Sequence, residues 1–360
     1  MPVSPSAVAP PVAGSAPPET VRKPERPASA SGPVRDAHLD NAKFVLIVLV
    51  FVGHAISPAR DTLLAEAVYF WIYLFHMPAF VLICGYVSAS FDGSARRVDR
   101  LITTVLAPYL IFWGVYVAEA HVAGRGYPES PVDPIWLTWF LVALFVWRIS
   151  VPFWKRIRWP LAVAVAVSLA AATVSTGDAL GISRILSLLP FFVLGLCLQP
   201  GHLEWLHQRW VQVLAVLVLL GTMVAAVPLA SELSTEWVFW RASLADREVD
   251  LLPLGMAART GFLVLAGVLT MAFLAVIPRA QTWFTQLGAY TMFVYLLHGL
   301  PIRIAEQLGW YEAVDGYAGL AANTVSAVVL SFVLCTPWVR RATGWLVEPH
   351  ATWLHRRSGT

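Results

Sequence analysis

Three histidines interrupt long apolar runs of the sequence: His54 in VFVGHAIS, His76 in YLFHMPAF and His298 in VYLLHGLP. An ionisable side chain inside a membrane-spanning segment costs a few kcal/mol, so such a residue usually serves a function. A neutral imidazole in a dry helix bundle can accept a proton near neutral pH, which suits removal of a proton from a hydroxyl group. The histidines therefore predict general-base chemistry, such as attack of a hydroxyl oxygen on an activated acyl group.

His54 is the first candidate for the base, because Gly53 precedes it and leaves room for a ligand or a neighbouring helix. His76 and His298 are candidate substrate-binding residues. A proton relay or simple packing between helices would explain these two histidines as well. Counted along their segments, the three imidazoles lie about 16–20 Å from the inner membrane face, which predicts one shared depth.

Charged residues accompany the first two apolar runs. Asp40 and Lys43 stand at the base of the first run, and three residues separate them, so they can pair on one helix face. Arg96, Arg97 and Arg100 precede the third run. Guanidinium groups match phosphate oxygens, so we predict that these arginines bind the phosphates of a cytosolic donor such as acyl-CoA. The excess of basic residues expected on the cytoplasmic side of a membrane would also explain them.

Arg148 lies within the fourth apolar run, PIWLTWFLVALFVWR. A cation at that depth needs a partner or a polar cavity, which makes Arg148 a candidate substrate-binding residue. The alternative is that its long side chain reaches the membrane interface.

The composition explains why these residues must be carried by membrane helices. Of the 360 residues, 58% are hydrophobic and 13% are charged, against roughly a quarter charged in soluble domains. We predict an all-α fold, a polytopic membrane bundle of about ten transmembrane helices. The predicted spans are 42–59, 67–90, 101–121, 135–154, 158–175, 184–200, 210–229, 254–277, 285–302 and 316–338.

The distribution of Lys and Arg predicts the orientation. With a cytoplasmic N-terminus, sixteen of the 25 basic residues fall in inside segments and five in outside loops, so both termini should be cytoplasmic. This pattern is typical of a bacterial inner (plasma) membrane protein. Residues 1–34 hold nine of the 25 prolines and no aromatic residue, which predicts a disordered tail. A membrane domain over 35–340 and a basic tail over 341–360 complete the organisation.

The sequence also excludes several classes of protein. The net charge of +3 does not indicate a nucleic-acid partner, and three widely spaced cysteines predict neither a disulfide framework nor a metal site. Nucleotide-binding loops and the HExxH and GxSxG motifs are absent from the sequence. The predicted partners are the lipid bilayer and an acceptor molecule, and the oligomeric state is not defined.

The order of these motifs resembles the acyltransferase-3 family of integral-membrane enzymes, and especially its fucose 4-O-acetylase-like branch. Ten residues separate the DNAK segment that starts at Asp40 from His54, as in that family. FHMPAFVLICGY, RLITTVLAPY, WLTWFLVALFVWR, LPFFVLG and VYLLHG are similar to family segments in the same order. Two positions depart from the family pattern: Lys43 stands where many relatives have Arg, and Cys84 where many have Ser.

The resemblance implies transfer of an acyl group, expected to be acetyl, from acyl-CoA to a hydroxyl of a carbohydrate or lipid-linked glycan. It implies His54 as the catalytic residue, either as a general base or as a transient acyl carrier, with Asp40 and Lys43 in the catalytic group. No metal is expected. The alternative is a multi-pass transporter or proton-coupled exporter that uses the intramembrane histidines.

Overall fold

The computed structural model describes residues 1–4, 36–175, 179–247 and 251–349. Contacts within the chain separate Met1–Arg35 from Asp36–Thr360, and the helices belong to the second unit. Over the described residues the protein is all-helical, as predicted. Its main helices are α1 (Ala37–Ile56), α2 (Leu63–Ser88), α3 (Ala95–Val122), α4 (Trp139–Trp154), α5 (Pro160–Ala172), α6 (Ile182–Cys197), α7 (Arg209–Leu229), α8 (Leu252–Val276), α9 (Thr291–Leu297), α10 (Gly299–Gln307), α11 (Gly316–Leu334) and α12 (Pro337–Val347).

Eight segments in the described part of the chain are long and apolar enough to cross a membrane: α1, α2, α3, α4, α6, α7, α8 and α11. The protein is therefore a multi-pass membrane protein. The fifth predicted span corresponds to α5, whose 13 residues give a length of only about 20 Å. The ninth corresponds to α9 and α10, which meet at His298. The count of ten spans and the orientation of the termini stay predictions.

The break between α9 and α10 has a cause in the sequence. Pro301 carries no backbone N–H, so the carbonyl of Leu297 loses its helical partner. Gly299 follows His298 and lets other side chains approach closely. A Cβ at this position would lie 2.4 Å from Tyr116 Oη and 2.6 Å from the ring of Trp136. A broken helix inside a membrane is tolerated where protein surrounds it or where it lines a cavity.

Most residues of the two predicted tails lie outside the part of the chain that the structure describes. Residues 5–35 are not described, so the predicted tail over 1–34 is not tested. At the other end, α12 covers the start of the tail predicted from residue 341. Trp338 and Trp345 on α12 are exposed, which is typical of a helix that lies at the membrane interface.

Two contacts fix the helices that carry the site. The buried side chain of Asn41 on α1 donates to the carbonyls of Pro278 and Ala280 and accepts from Thr285 Oγ1 at 2.7 Å. Helices α2 and α6 cross at Gly85 and Gly195, where a Cβ on either residue would lie 2.0–2.1 Å from a backbone oxygen of the other helix. Backbone-to-backbone packing of this kind is how membrane helices associate closely.

Candidate active site

A cavity of about 600 Å³ runs through the helical unit beside α1. Lys43 and His54 of α1 line it, and so does Pro58 in the turn after α1, so the cavity extends about 22 Å along the direction of this helix. Exposed residues line both ends, with Val87 near the Lys43 end and Pro58 at the other. We call these the Lys43 end and the Pro58 end.

His54 lines this cavity and forms a hydrogen-bonded pair with His298, which lies behind it. The distance from His54 Nδ1 to His298 Nε2 is 2.7 Å, and the two rings stack with an interplanar angle of 13°. His298 is fully buried, and its Nδ1 lies 2.7 Å from the carbonyl oxygen of Tyr295 and 3.0 Å from that of Val294. Two residues that are 244 positions apart in the chain therefore meet in one site.

The backbone carbonyls determine which nitrogen carries each proton. A carbonyl oxygen only accepts, so His298 Nδ1 donates to it. In the neutral ring of His298, Nε2 is then an acceptor, and His54 Nδ1 must donate to it. Neutral His54 consequently keeps its lone pair on Nε2. His54 is half-buried and lines the cavity, so an unprotonated imidazole nitrogen is available there.

Aromatic rings surround His54. The ring of Trp136 lies 5.5 Å from the imidazole and that of Tyr73 lies 6.2 Å from it, measured between centroids. Trp136 has a left-handed backbone conformation with φ 47°, which is rare for a residue with a side chain. Such strain costs about 1–3 kcal/mol and usually occurs at functional sites. Here it holds an indole ring against the catalytic candidate.

His76, the third predicted histidine, also lines the cavity. It is buried, and its Nδ1 donates to the carbonyl of Ile72 at 2.8 Å. Its ring lies 4.6 Å from that of Tyr73. The structure thus places His54 and His76 at one cavity. His298, which the sequence predicts to bind substrate, contacts His54 instead and is not among the residues that line the cavity.

Asp40 and Lys43 are paired but distant from His54. Lys43 Nζ lies 2.7 Å from Asp40 Oδ1, as the spacing of three residues predicts. Lys43 lines the cavity, whereas Asp40 is buried behind it. His54 comes eleven positions after Lys43 on α1, which is about 17 Å along the helix axis. The predicted catalytic group of three residues is therefore not assembled at one point.

Arg148 lines the Lys43 end of the cavity, and its Nε donates to Ser88 Oγ at 3.1 Å. It thus has both features that its depth requires, a hydrogen-bond partner and a polar cavity. Lys43 and Arg148 together give this end of the cavity a positive charge.

Arg96, Arg97 and Arg100 are exposed on α3 and do not line the cavity. Arg97 Nη1 donates to the carbonyl of Ser90, two residues beyond the Ser88 hydroxyl that binds Arg148. The cluster is therefore connected to the Lys43 end through the turn that follows α2.

The Pro58 end contains residues that the sequence analysis did not assign to the site. Arg303 pairs with Glu306 at 2.7 Å and lies over the ring of Trp136. Arg184 lies over the ring of Trp139, 4.9 Å from its centroid. All five residues line the cavity. The spacing of Trp136 and Trp139, three residues apart before an apolar run, is the signal that could have indicated them.

Within residues 36–175, 179–247 and 251–349, no group of three or more His, Cys, Asp or Glu side chains is arranged to hold a metal ion. The available groups are a basic nitrogen, aromatic surfaces and cations at both ends of the cavity.

This fold and site define a multi-pass membrane protein with a hydrogen-bonded histidine pair beside an internal cavity. The family model described as an acyltransferase domain matches residues 36–339, so the chain belongs to the acyltransferase-3 family. The family that the sequence motifs indicate is thereby confirmed, while the fucose 4-O-acetylase-like branch stays a prediction.

Two relatives extend the comparison. Nodulation protein NolL of Mesorhizobium japonicum is 25% identical over 330 residues, which cover 82% of this chain and 84% of the relative. Nodulation protein NolL of Sinorhizobium fredii is 22% identical over 351 residues, which cover 88% of this chain and 92% of the relative. No solved structure matches the chain.

Proposed function

We propose that this O-acyltransferase moves an acetyl group from cytosolic acetyl-CoA to a hydroxyl of a carbohydrate or lipid-linked glycan, in a bacterial inner (plasma) membrane. The observation that carries the proposal is the His54–His298 pair, whose free nitrogen faces a cavity with exposed residues at both ends. Donor and acceptor can then enter from opposite ends and meet at His54.

The reaction follows from the proton positions. His54 Nε2 removes the proton from the acceptor hydroxyl, and the hydroxyl oxygen attacks the thioester carbonyl carbon. The tetrahedral intermediate expels the CoA thiolate, which takes the proton back from His54. During the step His54 is cationic, and its Nδ1–H remains hydrogen-bonded to His298 Nε2. Charge-assisted hydrogen bonds are stronger than neutral ones, so this pair stabilises the charged state.

The donor fits the Lys43 end. Lys43 and Arg148 line that end, and the three arginines of α3 lie beside it. The distance of about 17 Å from Lys43 to His54 requires a donor whose reactive carbon lies at the end of a long, narrow arm, as the thioester of acetyl-CoA does. The excess of basic residues on the inside segments supports the cytosolic side for this end.

The acceptor fits the Pro58 end. Trp136, Trp139 and Tyr73 line the cavity there, and flat aromatic rings are suited to stacking against the apolar face of a sugar ring. Arg303 and Glu306 supply hydrogen-bond groups of both kinds. These features support a carbohydrate acceptor.

The arginine cluster can be tested with two donors. In the double variant Arg97→Gln/Arg100→Gln we expect the KM for acetyl-CoA to rise about tenfold or more, because each lost charge-assisted hydrogen bond to phosphate costs about 1.5–3 kcal/mol. The KM for acetylpantetheine, which has no phosphate, should not change. Arg156→Gln, an exposed arginine before α5, is the control. Equal changes for both donors would contradict the phosphate role.

The donor path can be tested at Cys84, which lines the cavity on α2. A Trp at this position fills the space between Lys43 and His54, so we expect the KM for acetyl-CoA in Cys84→Trp to rise about tenfold or more, by analogy with over-packed sites. Cys197→Trp, an exposed cysteine at the end of α6, should behave as the parent. A Cys84→Trp enzyme with parental donor kinetics would exclude this path.

The activity itself is tested by incubating the purified protein, in lipid vesicles, with acetyl-labelled acetyl-CoA and isolated cell-envelope glycans. Label found in an alkali-labile ester on the glycan supports the proposal. Movement of solutes across the vesicle membrane without covalent transfer would instead support the exporter alternative and contradict the proposal.

A further inference from the structure

Two arginines near the Pro58 end have no role in the reaction described above. Arg259 on α8 is fully buried, and none of its three guanidinium nitrogens has a hydrogen-bond partner among the described residues. Arg247, in the segment before α8, has two buried nitrogens, Nε and Nη1, that also lack a partner within the described part of the chain. We call Arg247 and Arg259 the arginine pair.

The surroundings of the pair compensate only part of its charge. The guanidinium of Arg259 lies 4.4 Å from the ring centroid of Trp240, and that of Arg247 lies 4.1 Å from that of Trp237. A cation–π contact contributes about 0.5–2 kcal/mol. An unpaired buried charge costs several kcal/mol even after the protein relaxes. The aromatic contacts therefore leave most of the cost unbalanced.

Two described carboxylates, those of Glu236 and Asp246, attract Arg247 through space, but their hydrogen bonds go to other groups. Glu236 accepts two hydrogen bonds from Arg241, at 3.0 and 2.8 Å, and Asp246 accepts one from the backbone N–H of Ser243 at 2.8 Å. Arg247 Nη2 donates to the backbone carbonyl of Glu236 at 2.7 Å. Burial lowers the pKa of Arg247 to about 10, so this residue stays cationic at neutral pH. Two positive charges thus adjoin each other with unused donors.

The unused donors of the arginine pair could bind an anion, and the position of the pair indicates what kind of molecule would carry that anion. Arg259 is seven residues from the start of α8, about 10 Å along the axis, a depth close to the membrane interface. Leu251, Leu252 and Leu254 at the same end of α8 are exposed, as expected of lipid-facing residues. These residues place lipid beside the end of α8 that carries Arg259.

Trp240 connects the pair to the catalytic cavity. Its ring covers Arg259 and its residue lines the cavity. Its indole Nε1 is buried without a partner among the described residues. Its backbone is left-handed, with φ 60°. Arg259 thus lies one aromatic ring behind the acceptor end, and the unused N–H of that ring is a third donor for the same anion.

From this geometry we propose that Arg247, Arg259 and Trp240 bind the phosphate group of a membrane lipid. Guanidinium groups bind phosphate through paired, charge-assisted hydrogen bonds. The phosphate can belong to a phospholipid headgroup or to the polyprenyl phosphate that carries a lipid-linked glycan. Only the second source rests on the proposed function, because it would make the site part of acceptor binding.

The test measures lipid binding to the purified full-length protein by native mass spectrometry, without any acyl transfer. The probes are undecaprenyl phosphate and phosphatidylglycerol, each compared with its phosphate-free counterpart, undecaprenol or diacylglycerol. We expect the phosphate-bearing lipid to bind at least about tenfold more tightly than its counterpart. Arg259→Gln and Arg247→Gln should each remove most of that difference. Arg209→Gln, an exposed arginine at the start of α7, should leave it intact.

The two lipid probes distinguish the two possible sources of the phosphate. Preference for undecaprenyl phosphate identifies the acceptor carrier, and equal binding of phosphatidylglycerol identifies a phospholipid site. Both results support the proposal if they depend on the arginine pair. The inactive variant His54→Gln should bind as the parent does, so a failure of the proposed catalysis would leave this result unaffected.

Two outcomes overturn the proposal. One is binding that does not change in either Arg→Gln variant or that does not require the phosphate. The other involves Glu248 and Asp250, which follow Arg247 in the sequence and lie outside the described residues. If Glu248→Gln/Asp250→Asn lowers the melting temperature as much as Arg259→Gln does, and neither variant affects lipid binding, then the arginines are paired within the chain.

Discussion

His54→Gln should reduce the rate of acetyl transfer by about 10²–10⁴-fold, the usual cost of removing a general base. Gln keeps the polarity and approximate size of the side chain but has no nitrogen that accepts a proton near neutral pH. The parent imidazole has its free Nε2 at the cavity because Nδ1 is hydrogen-bonded to His298. The measurement is kcat with labelled acetyl-CoA and the glycan acceptor.

Two controls make this result specific. His121→Gln alters an exposed histidine at the end of α3 and should leave kcat unchanged. The His54→Gln protein should insert and melt as the parent does, because residue 54 is half-buried at a cavity and fills no packed core. A purified His54→Gln enzyme with parental kcat would end the assignment of His54 as the base. An acetyl group trapped covalently on His54 would change its role to acyl carrier.

His298→Leu should reduce kcat by about 10²-fold, a second large effect, although His298 is not expected to touch the substrates. It is a positioning residue: its Nε2 accepts the Nδ1–H of His54, and its Nδ1 is held by the carbonyls of Tyr295 and Val294. Leu removes that acceptor, so His54 loses the bond that fixes its tautomer and stabilises its charged form. Groups that orient a histidine in this way typically contribute 10–100-fold in other proteins.

Two further variants distinguish positioning from packing. His298→Gln can present an amide oxygen to His54 and should recover a substantial part of kcat, while both variants melt at similar temperatures. The double variant His54→Gln/His298→Leu should be no slower than His54→Gln, because residues that act as one unit are not additive. Multiplicative losses in the double variant, or no recovery with Gln, would show that His298 acts through packing alone.

Some predictions from the sequence depended only on local rules. The rise of a helix is fixed at 1.5 Å per residue, so the position of a residue in an apolar run predicts its depth. His54 and His76 do line one cavity, and His298 is hydrogen-bonded to His54 behind it. The pairing of Asp40 with Lys43 follows from helical spacing alone. The break at His298 is encoded locally in Pro301, but the apolar composition of 285–302 concealed it.

The arrangement of the site residues relative to one another could not be predicted from the sequence pattern. The family resemblance implies one catalytic group of Asp40, Lys43 and His54, yet the helical rise along α1 separates Lys43 from His54 by about 17 Å. The roles of Arg184 and Arg303 at the Pro58 end were missed, because a basic residue near a span end is expected at any membrane interface. Their placement beside Trp139 and Trp136 is a property of neighbouring helices.

The sequence by itself determined that this protein is a membrane helix bundle and predicted one depth for its three intramembrane histidines, because hydropathy and helical rise are local properties. The order of its motifs, and not its hydropathy, indicated the acyltransferase-3 family. The tertiary structure decided that His54 meets His298, 244 positions away, and that one cavity reaches exposed residues at both ends. Those facts depend on which helices are neighbours and how each is rotated about its axis, and close contacts such as that between Gly85 and Gly195 set both.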